Sequence, residues 1–271
     1  MQSINIIESY IQGKRPDQSL CEDGYVVTPH FAAVVDGSTS KVEGRNGGRE
    51  AMRLVVEAIG NLPPEAGKES MLLTLTQVLA RHNPPEALTD AAWRLTCSTV
   101  IYSRARSAVW MVGDCQCRFG GTTHTHPKLI DTILTQVRCD VVRHLLSRGH
   151  TPDDIRRNDL GRAFIMDALH TQTNFQNDPN PLNPYAYPVL DGTPVRPDRV
   201  LEIPVSPETD SLILASDGYP IVGDTLAESE KALQQMLHED PLCIGQNAGT
   251  KCLVSGNHSF DDRCYLRISL P

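Results

Sequence analysis

Acidic residues stand beside predicted strands at five places along the chain. Glu22 and Asp23 precede one strand, Asp36 follows another, Asp114 closes a third, Asp217 follows a fourth, and Asp261 and Asp262 precede the last. Hard divalent cations such as magnesium and manganese take oxygen ligands, usually a few carboxylates together with water. Without such cations, clustered acids repel one another and their pKa values rise. Two metals roughly 3.5–4 Å apart can generate hydroxide at neutral pH and neutralise charge on a phosphoryl group during in-line displacement. The acids therefore point to phosphoester hydrolysis without a nucleophile from the protein. A cysteine nucleophile has little support, because no thiol sits in a glycine-rich loop ending in an arginine that would cradle phosphate.

The elements that must carry these acids follow from periodicity. Phe31-Ala-Ala-Val-Val-Asp-Gly-Ser-Thr39 is an apolar, β-branched run that reads as a buried strand delivering Asp36 into Gly37, where the backbone can approach whatever the carboxylate holds. Met1 to Ile11 reads as a first strand and Gly24 to Thr28 as a second. Gly47 to Leu62 switches to helical spacing through Ala51, Leu54, Val55, Ala58 and Ile59. A second helix over Lys68 to Arg81 carries Met71, Leu72, Leu75 and Leu79 on one face. Cys97 to Ser103 and Ser107 to Asp114 form an antiparallel hairpin across the Arg104-Ala-Arg106 link. Lys128 to Leu146 and Asp159 to Gln172 are helical, and the apolar face Leu129, Ile133, Val137, Val141 and Leu145 is expected in the core. Arg199 to Val205 and Ser211 to Gly218 are strands, Thr225 to Leu237 a helix, and Cys264 to Ser269 the last strand. The turn-rich stretch Asp178 to Pro197 is expected at the rim of the site.

The chain has 271 residues, 40% hydrophobic, and a net charge of −8, enough for a sizeable core. An acidic chain does not suit sequence-independent nucleic-acid binding. No apolar run approaches a membrane span, and the amino terminus lacks the basic and apolar regions of a signal peptide, so the expected compartment is the cytoplasm. The eight cysteines are scattered, and reduced thiols are expected. Cys115-x-Cys117 followed by His124-x-His126 has a metal-like look. Structural zinc sites, however, space their first pair by two to four residues, so packed thiols and surface histidines are expected here.

The motifs resemble those of the metal-dependent protein phosphatases of type 2C. Cys-Glu-Asp at 21–23 resembles the family's amino-terminal Asn-Glu-Asp, and Ala-Val-Val-Asp-Gly at 33–37 its Val-Asp-Gly strand. Val-Gly-Asp-Cys at 112–115 is similar to Val-Gly-Asp-Ser, Leu-Ala-Ser-Asp-Gly at 214–218 to Ser-Asp-Gly, and Phe-Asp-Asp-Arg at 260–263 to the closing Asp-Asn. The order matches as well. The resemblance implies one domain over residues 1–271, an α+β fold of four layers, α-β-β-α, in which helices flank two antiparallel sheets. It implies two manganese or magnesium ions at one end, with a third, weaker one at Asp114. Asp36 would bridge both main ions, the Gly37 carbonyl would help hold the second, and Asp217 and Asp261 would complete the first. Glu22 and Asp23 would serve the second ion or its waters.

Three departures accompany the resemblance. Family members carry an arginine shortly before Glu-Asp to grip phosphate; the nearest cations here are Lys14 and Arg15, and Arg15 is the candidate phosphate contact. Ser38 replaces the residue that in some relatives is a proposed acid for the leaving group. Gln116 and Cys117 replace Arg-Ala, and the region 121–199 looks little like the family's flap. The expected activity is hydrolysis of phosphoserine or phosphothreonine, in a phosphorylated protein or a small phosphoester. The competing expectation is a pseudophosphatase that binds a partner without turnover.

Overall fold

The computed structural model describes residues 4–42 and 44–270. The expected first strand begins outside these residues at Met1, Gln2 and Ser3; its described part is β1 (Asn5–Gln12). β2 (Asp23–Val27), β3 (Phe31–Gly37), β4 (Cys97–Ser103), β5 (Ala108–Val112) and β8 (Leu201–Pro204) form one antiparallel sheet in the order β2-β3-β4-β5-β8. The second sheet is also antiparallel and runs β1-β10-β9-β6-β7, with β6 (Gln116–Phe119), β7 (Thr122–His124), β9 (Ser211–Ala215) and β10 (Arg263–Ser269).

β3 shows why the apolar run is continuous. Side chains alternate across a strand, so Ala32 and Val34 enter the core between the sheets with Val100, Met111, Leu214 and Leu266. Phe31, Ala33 and Val35 pack on the opposite face against helices α1 (Gly47–Gly60) and α2 (Lys68–His82). Those helices contribute Ala51, Val55, Ile59, Met71, Leu75 and Leu79, on the expected faces. Helix α7 (Leu226–Glu239) starts at a Thr225–Glu228 capping box. It covers the second sheet through Leu233, Met236 and Leu237 against Ile213, Ala215 and Tyr265. The result is four layers, helix, sheet, sheet, helix.

The β6–β7 hairpin has no counterpart in the sequence reading; its strands are four and three residues long, too short to show a period. It places Cys115 and Cys117 in the core between the sheets. His124 lies 5.0 Å from the Phe119 ring, and all eight cysteines are free and buried.

Between residues 121 and 199 lie β7, α3 (Leu129–Ser147), α4 (Pro152–Asn158), α5 (Leu160–Phe164) and α6 (Met166–Thr171). Here one expectation is corrected. Leu129, Ile133 and Val137 of α3 are exposed at 51%, 42% and 39%, Val141 and Leu145 are half-buried, the latter against Val142, Ile155 and Leu242, and the buried face is Leu134, Arg138, Cys139 and Val142. Arg138 is the cause. Its guanidinium is fully buried and donates to Asp159 Oδ1 (3.0 Å) and to the carbonyls of Leu242, Cys243 and Gly249. A buried arginine turns the helix about 100° away from the face its aliphatic residues would choose. No helix among the described residues is long and apolar enough to cross a membrane.

Candidate metal centre

Strand register brings the acids to one end of the sandwich. Asp23 on β2 lies directly opposite Asp36 on β3, and Asp36 lies opposite Ser98 on β4. Ser98 Oγ donates to Asp114 Oδ1 at 2.6 Å, so the acid after β5 is tied to the same corner. Asp217 follows β9 and Asp261 precedes β10, neighbours in the second sheet. Both Asp-Gly pairs need their glycine for close approach. A Cβ on Gly37 would stand 2.2 Å from the Gly48 carbonyl oxygen at the start of α1, and one on Gly218 would stand 2.0 Å from that of Asp262.

Asp36, Asp114 and Asp217 each offer a carboxylate oxygen within 4.8 Å of the others. Burial pushes Asp36 well above the usual carboxylate range, and repulsion from Asp23, Asp217 and Asp114 pushes it further. Asp217 is raised by burial and by Asp114. Asp23 is buried and neither carboxylate oxygen has a hydrogen bond of good geometry; the Ser216 hydroxyl stands near enough to hold it down in part, yet burial with repulsion from Asp262 and Asp217 moves it up to about 7. Asp114 behaves differently. Burial acts to raise it, but the Lys128 ammonium at 2.7 Å and the Ser98 hydroxyl outweigh that, and it falls below the usual range. Oxygen donors that repel one another, with an orphaned carboxylate behind them, fit a hard divalent cation.

The remaining acids form a second group, bridged by lysines. Lys14 Nζ lies 3.1 Å from Asp261 Oδ1, 3.3 Å from Asp262 Oδ2 and 3.5 Å from Glu22 Oε2, and it donates to Thr39 Oγ1 at 3.0 Å. Lys251 pairs with the other oxygen of Asp261. Asp262 also accepts the backbone amides of Lys14 and Glu22. Of the residues singled out from sequence, Asp36, Asp114 and Asp217 therefore converge, with Asp23 behind Asp36. Glu22 and Asp261 belong to the lysine-bridged group. The Gly37 amide donates to the Glu22 carbonyl at 3.0 Å. Arg15 is exposed at the rim, while Lys14 reaches the acids.

Lys14, Asp36, Asp114, Asp217 and Asp261 line a cleft of about 300 Å³. Four cations that the sequence did not mark also line it: Lys41 in the loop after β3, Lys128 just before α3, Arg162 on α5 and Lys251 in the loop before β10. They come from loops and a five-residue helix, which carry no period or motif. Lys128 lies 5.2 Å from the centre of the Tyr187 ring, a cation–π contact.

No family model matches the chain, and no curated protein matches its sequence. Solved structures do match its shape. The serine/threonine phosphatase Stp1 from Staphylococcus aureus superposes with a TM-score of 0.50 at 12% identity, covering 100% of this chain and 96% of that one. A bacterial serine phosphatase carrying an arginine-to-alanine substitution gives 0.50 at 11% identity, with both chains covered completely, 100% of each. At these identities the likeness speaks for the fold alone: the chain has the four-layer fold of the type 2C serine/threonine phosphatases.

Proposed function

We propose that the chain is a manganese- or magnesium-dependent phosphoester hydrolase acting on phosphoserine or phosphothreonine, in a phosphorylated protein or a smaller phosphoester. The observation that carries this reading is the convergence of Asp36, Asp114 and Asp217 within 4.8 Å at the floor of a cleft rimmed by cations. Divalent cations bound there supply charge against the phosphoryl oxygens and lower the pKa of water. Asp36, Asp114 and Asp217 would hold them. Glu22, Asp23, Gly37 and Asp261 are the positions that the type 2C resemblance adds. Ser98 fixes the orientation of Asp114, and Lys128 holds the same carboxylate from the other side. The protein's own cations draw an anionic substrate into an otherwise acidic molecule. The test is hydrolysis of an aryl phosphate and of a phosphopeptide with manganese, with chelator, and by Asp36→Asn. Activity is expected only for the wild type with metal. Activity that persists in chelator or in the variant refutes the reading.

One observation favours a second reading, a pseudophosphatase that binds without turnover. The Lys14 ammonium already bridges Glu22, Asp261 and Asp262, and the first two are acids that the type 2C resemblance assigns to metal. That reading expects calorimetric manganese binding with no hydrolysis of any phosphoester.

A further inference from the structure

Two half-buried cations in the wall of the cleft stand apart from its ion pairs. Lys14, Lys128 and Lys251 each pair with a carboxylate at the site. Lys41 and Arg162 do not: among the described residues, neither has a carboxylate within ion-pair distance. Lys41 Nζ donates only to the Thr39 carbonyl, at 2.8 Å, and Arg162 Nη1 to Thr250, at 2.9 Å to the carbonyl and 3.4 Å to Oγ1. Both side chains are half-buried in the cleft wall. Burial, then repulsion from Arg162, Lys251 and Lys128, lowers the Lys41 ammonium to about 7. Burial also lowers the Arg162 guanidinium, and the charge of Asp159 offsets only part of this; two cations in one cleft wall without a carboxylate in ion-pair contact are unfavourable, and an anion held between them relieves that cost.

We propose that Lys41 and Arg162 form an anion subsite beside the Asp36–Asp114–Asp217 cluster that takes a second anionic group of a phosphoester substrate. This rests on the phosphoester reading above and narrows its substrate class to phosphoesters carrying a further phosphate or carboxylate. The two elements behind it are independent, the loop after β3 and helix α5, so the subsite spans the sandwich and the helical region that covers it. Arginine offers a planar fork of donors to an oxyanion and lysine a compact charge. Because Lys128 is engaged by Asp114 and Lys251 by Asp261, the group on Lys41 and Arg162 is a separate one.

Binding in chelator tests this without turnover. Pyrophosphate and inorganic phosphate are titrated calorimetrically at about pH 6, where Lys41 is protonated, into the wild type, Lys41→Gln, Arg162→Gln and the double variant. The wild type is expected to bind pyrophosphate more tightly than phosphate. Each single variant should lose about tenfold on pyrophosphate, the loss of one charge-assisted hydrogen bond, and the double variant should bind both anions alike. Arg162→Lys, which keeps the charge, should recover part of the affinity. A phosphoserine peptide flanked by glutamates against one flanked by alanines, titrated in the same way, separates a carboxylate from a phosphate as the second group. Equal affinity of wild type and double variant for pyrophosphate and for the glutamate peptide overturns the subsite, as does no binding to the wild type. Loss of hydrolysis with the binding difference retained refutes the phosphoester reading instead.

Discussion

Asp23 provides the sharpest quantitative test of the carboxylate cluster. Its two oxygens are buried without a partner, directly across the β2–β3 ladder from Asp36. Its pKa rises from 3.8 to about 7, because burial and the charges of Asp262 and Asp217 outweigh the nearby Ser216 hydroxyl and the Lys14 ammonium. Below pH 3.8 folded and unfolded chains both carry the proton, and folding has no penalty. As pH rises, the unfolded chain ionises first, so stability falls until the folded carboxyl also ionises near 7. A shift of about 3 units at about 1.4 kcal/mol each amounts to roughly 4 kcal/mol, of which about 3 kcal/mol is lost between about pH 5 and pH 8. That is a large share of a typical domain's stability of about 5–15 kcal/mol. Asp23→Asn removes the ionisation at nearly constant shape. Urea unfolding of wild type and variant, both in chelator, should show wild type losing about 3 kcal/mol relative to Asp23→Asn between those two pH values. Saturating manganese at about 1,000-fold over Kd should return roughly 4 kcal/mol to the wild type and less to the variant. If the difference between the two proteins in chelator is flat with pH, Asp23 is not an uncompensated buried carboxylate and the electrostatic account of the cluster fails.

Two further outcomes follow from the packing. Arg138→Met leaves Asp159 buried without its guanidinium and strands three carbonyls, so thermal or urea melts should report a loss of about 3–5 kcal/mol; a near-neutral change would mean that α3 is held by its aliphatic residues instead. Gly37→Ala would place a Cβ 2.2 Å from the Gly48 carbonyl oxygen and 2.8 Å from that of Glu22, both backbone atoms. The strand end must then move, and with it Asp36; a stability loss above about 2 kcal/mol should accompany weaker manganese binding by calorimetry, and unchanged metal affinity would show that Asp36 does not depend on this contact.

The parts of the molecule that were readable in the sequence share a physical property. β3 is buried on both faces, so its apolar run is unbroken, and Asp36 and Asp217 stand where such runs end in glycines required by close approach. Helices α1 and α2 bury aliphatic stripes and follow the 3.6-residue period. Where a charge does the anchoring, that logic inverts. Arg138 lies on the buried face of α3, and counting arginine as a solvent-facing residue chose a face about 100° away. Lys41, Arg162 and Lys251 were invisible for a related reason: a side chain reaching a cleft from a loop or one-turn helix leaves no periodic trace, and only the fold brings the three together.

The acids divide by what compensates them, and this division bears on how cations would load. Asp23, Asp36 and Asp217 are pushed upward by burial and by one another, so nothing in the described chain relieves their repulsion in full. Asp114, Glu22, Asp261 and Asp262 are held by Lys128, Lys14 and Lys251. A divalent ion held by Asp36 and Asp217 with Asp114 would relieve that repulsion, at the cost of loosening Lys128 from Asp114. At Glu22, Asp261 and Asp262 it must first displace the Lys14 ammonium that already touches all three, and the gain is the difference between two charges and one. Binding should therefore be stepwise rather than paired, with the tight step at the end of β3 and the weak step coupled to movement of Lys14. A phosphatase with this wiring would be sensitive to metal concentration over the range that governs the second step, and the same wiring at low metal would leave it as the binding-only protein of the second reading. Lys14 is thus the residue on which the two functional readings turn, although it entered only as one of two cations standing a few positions before the Glu-Asp pair.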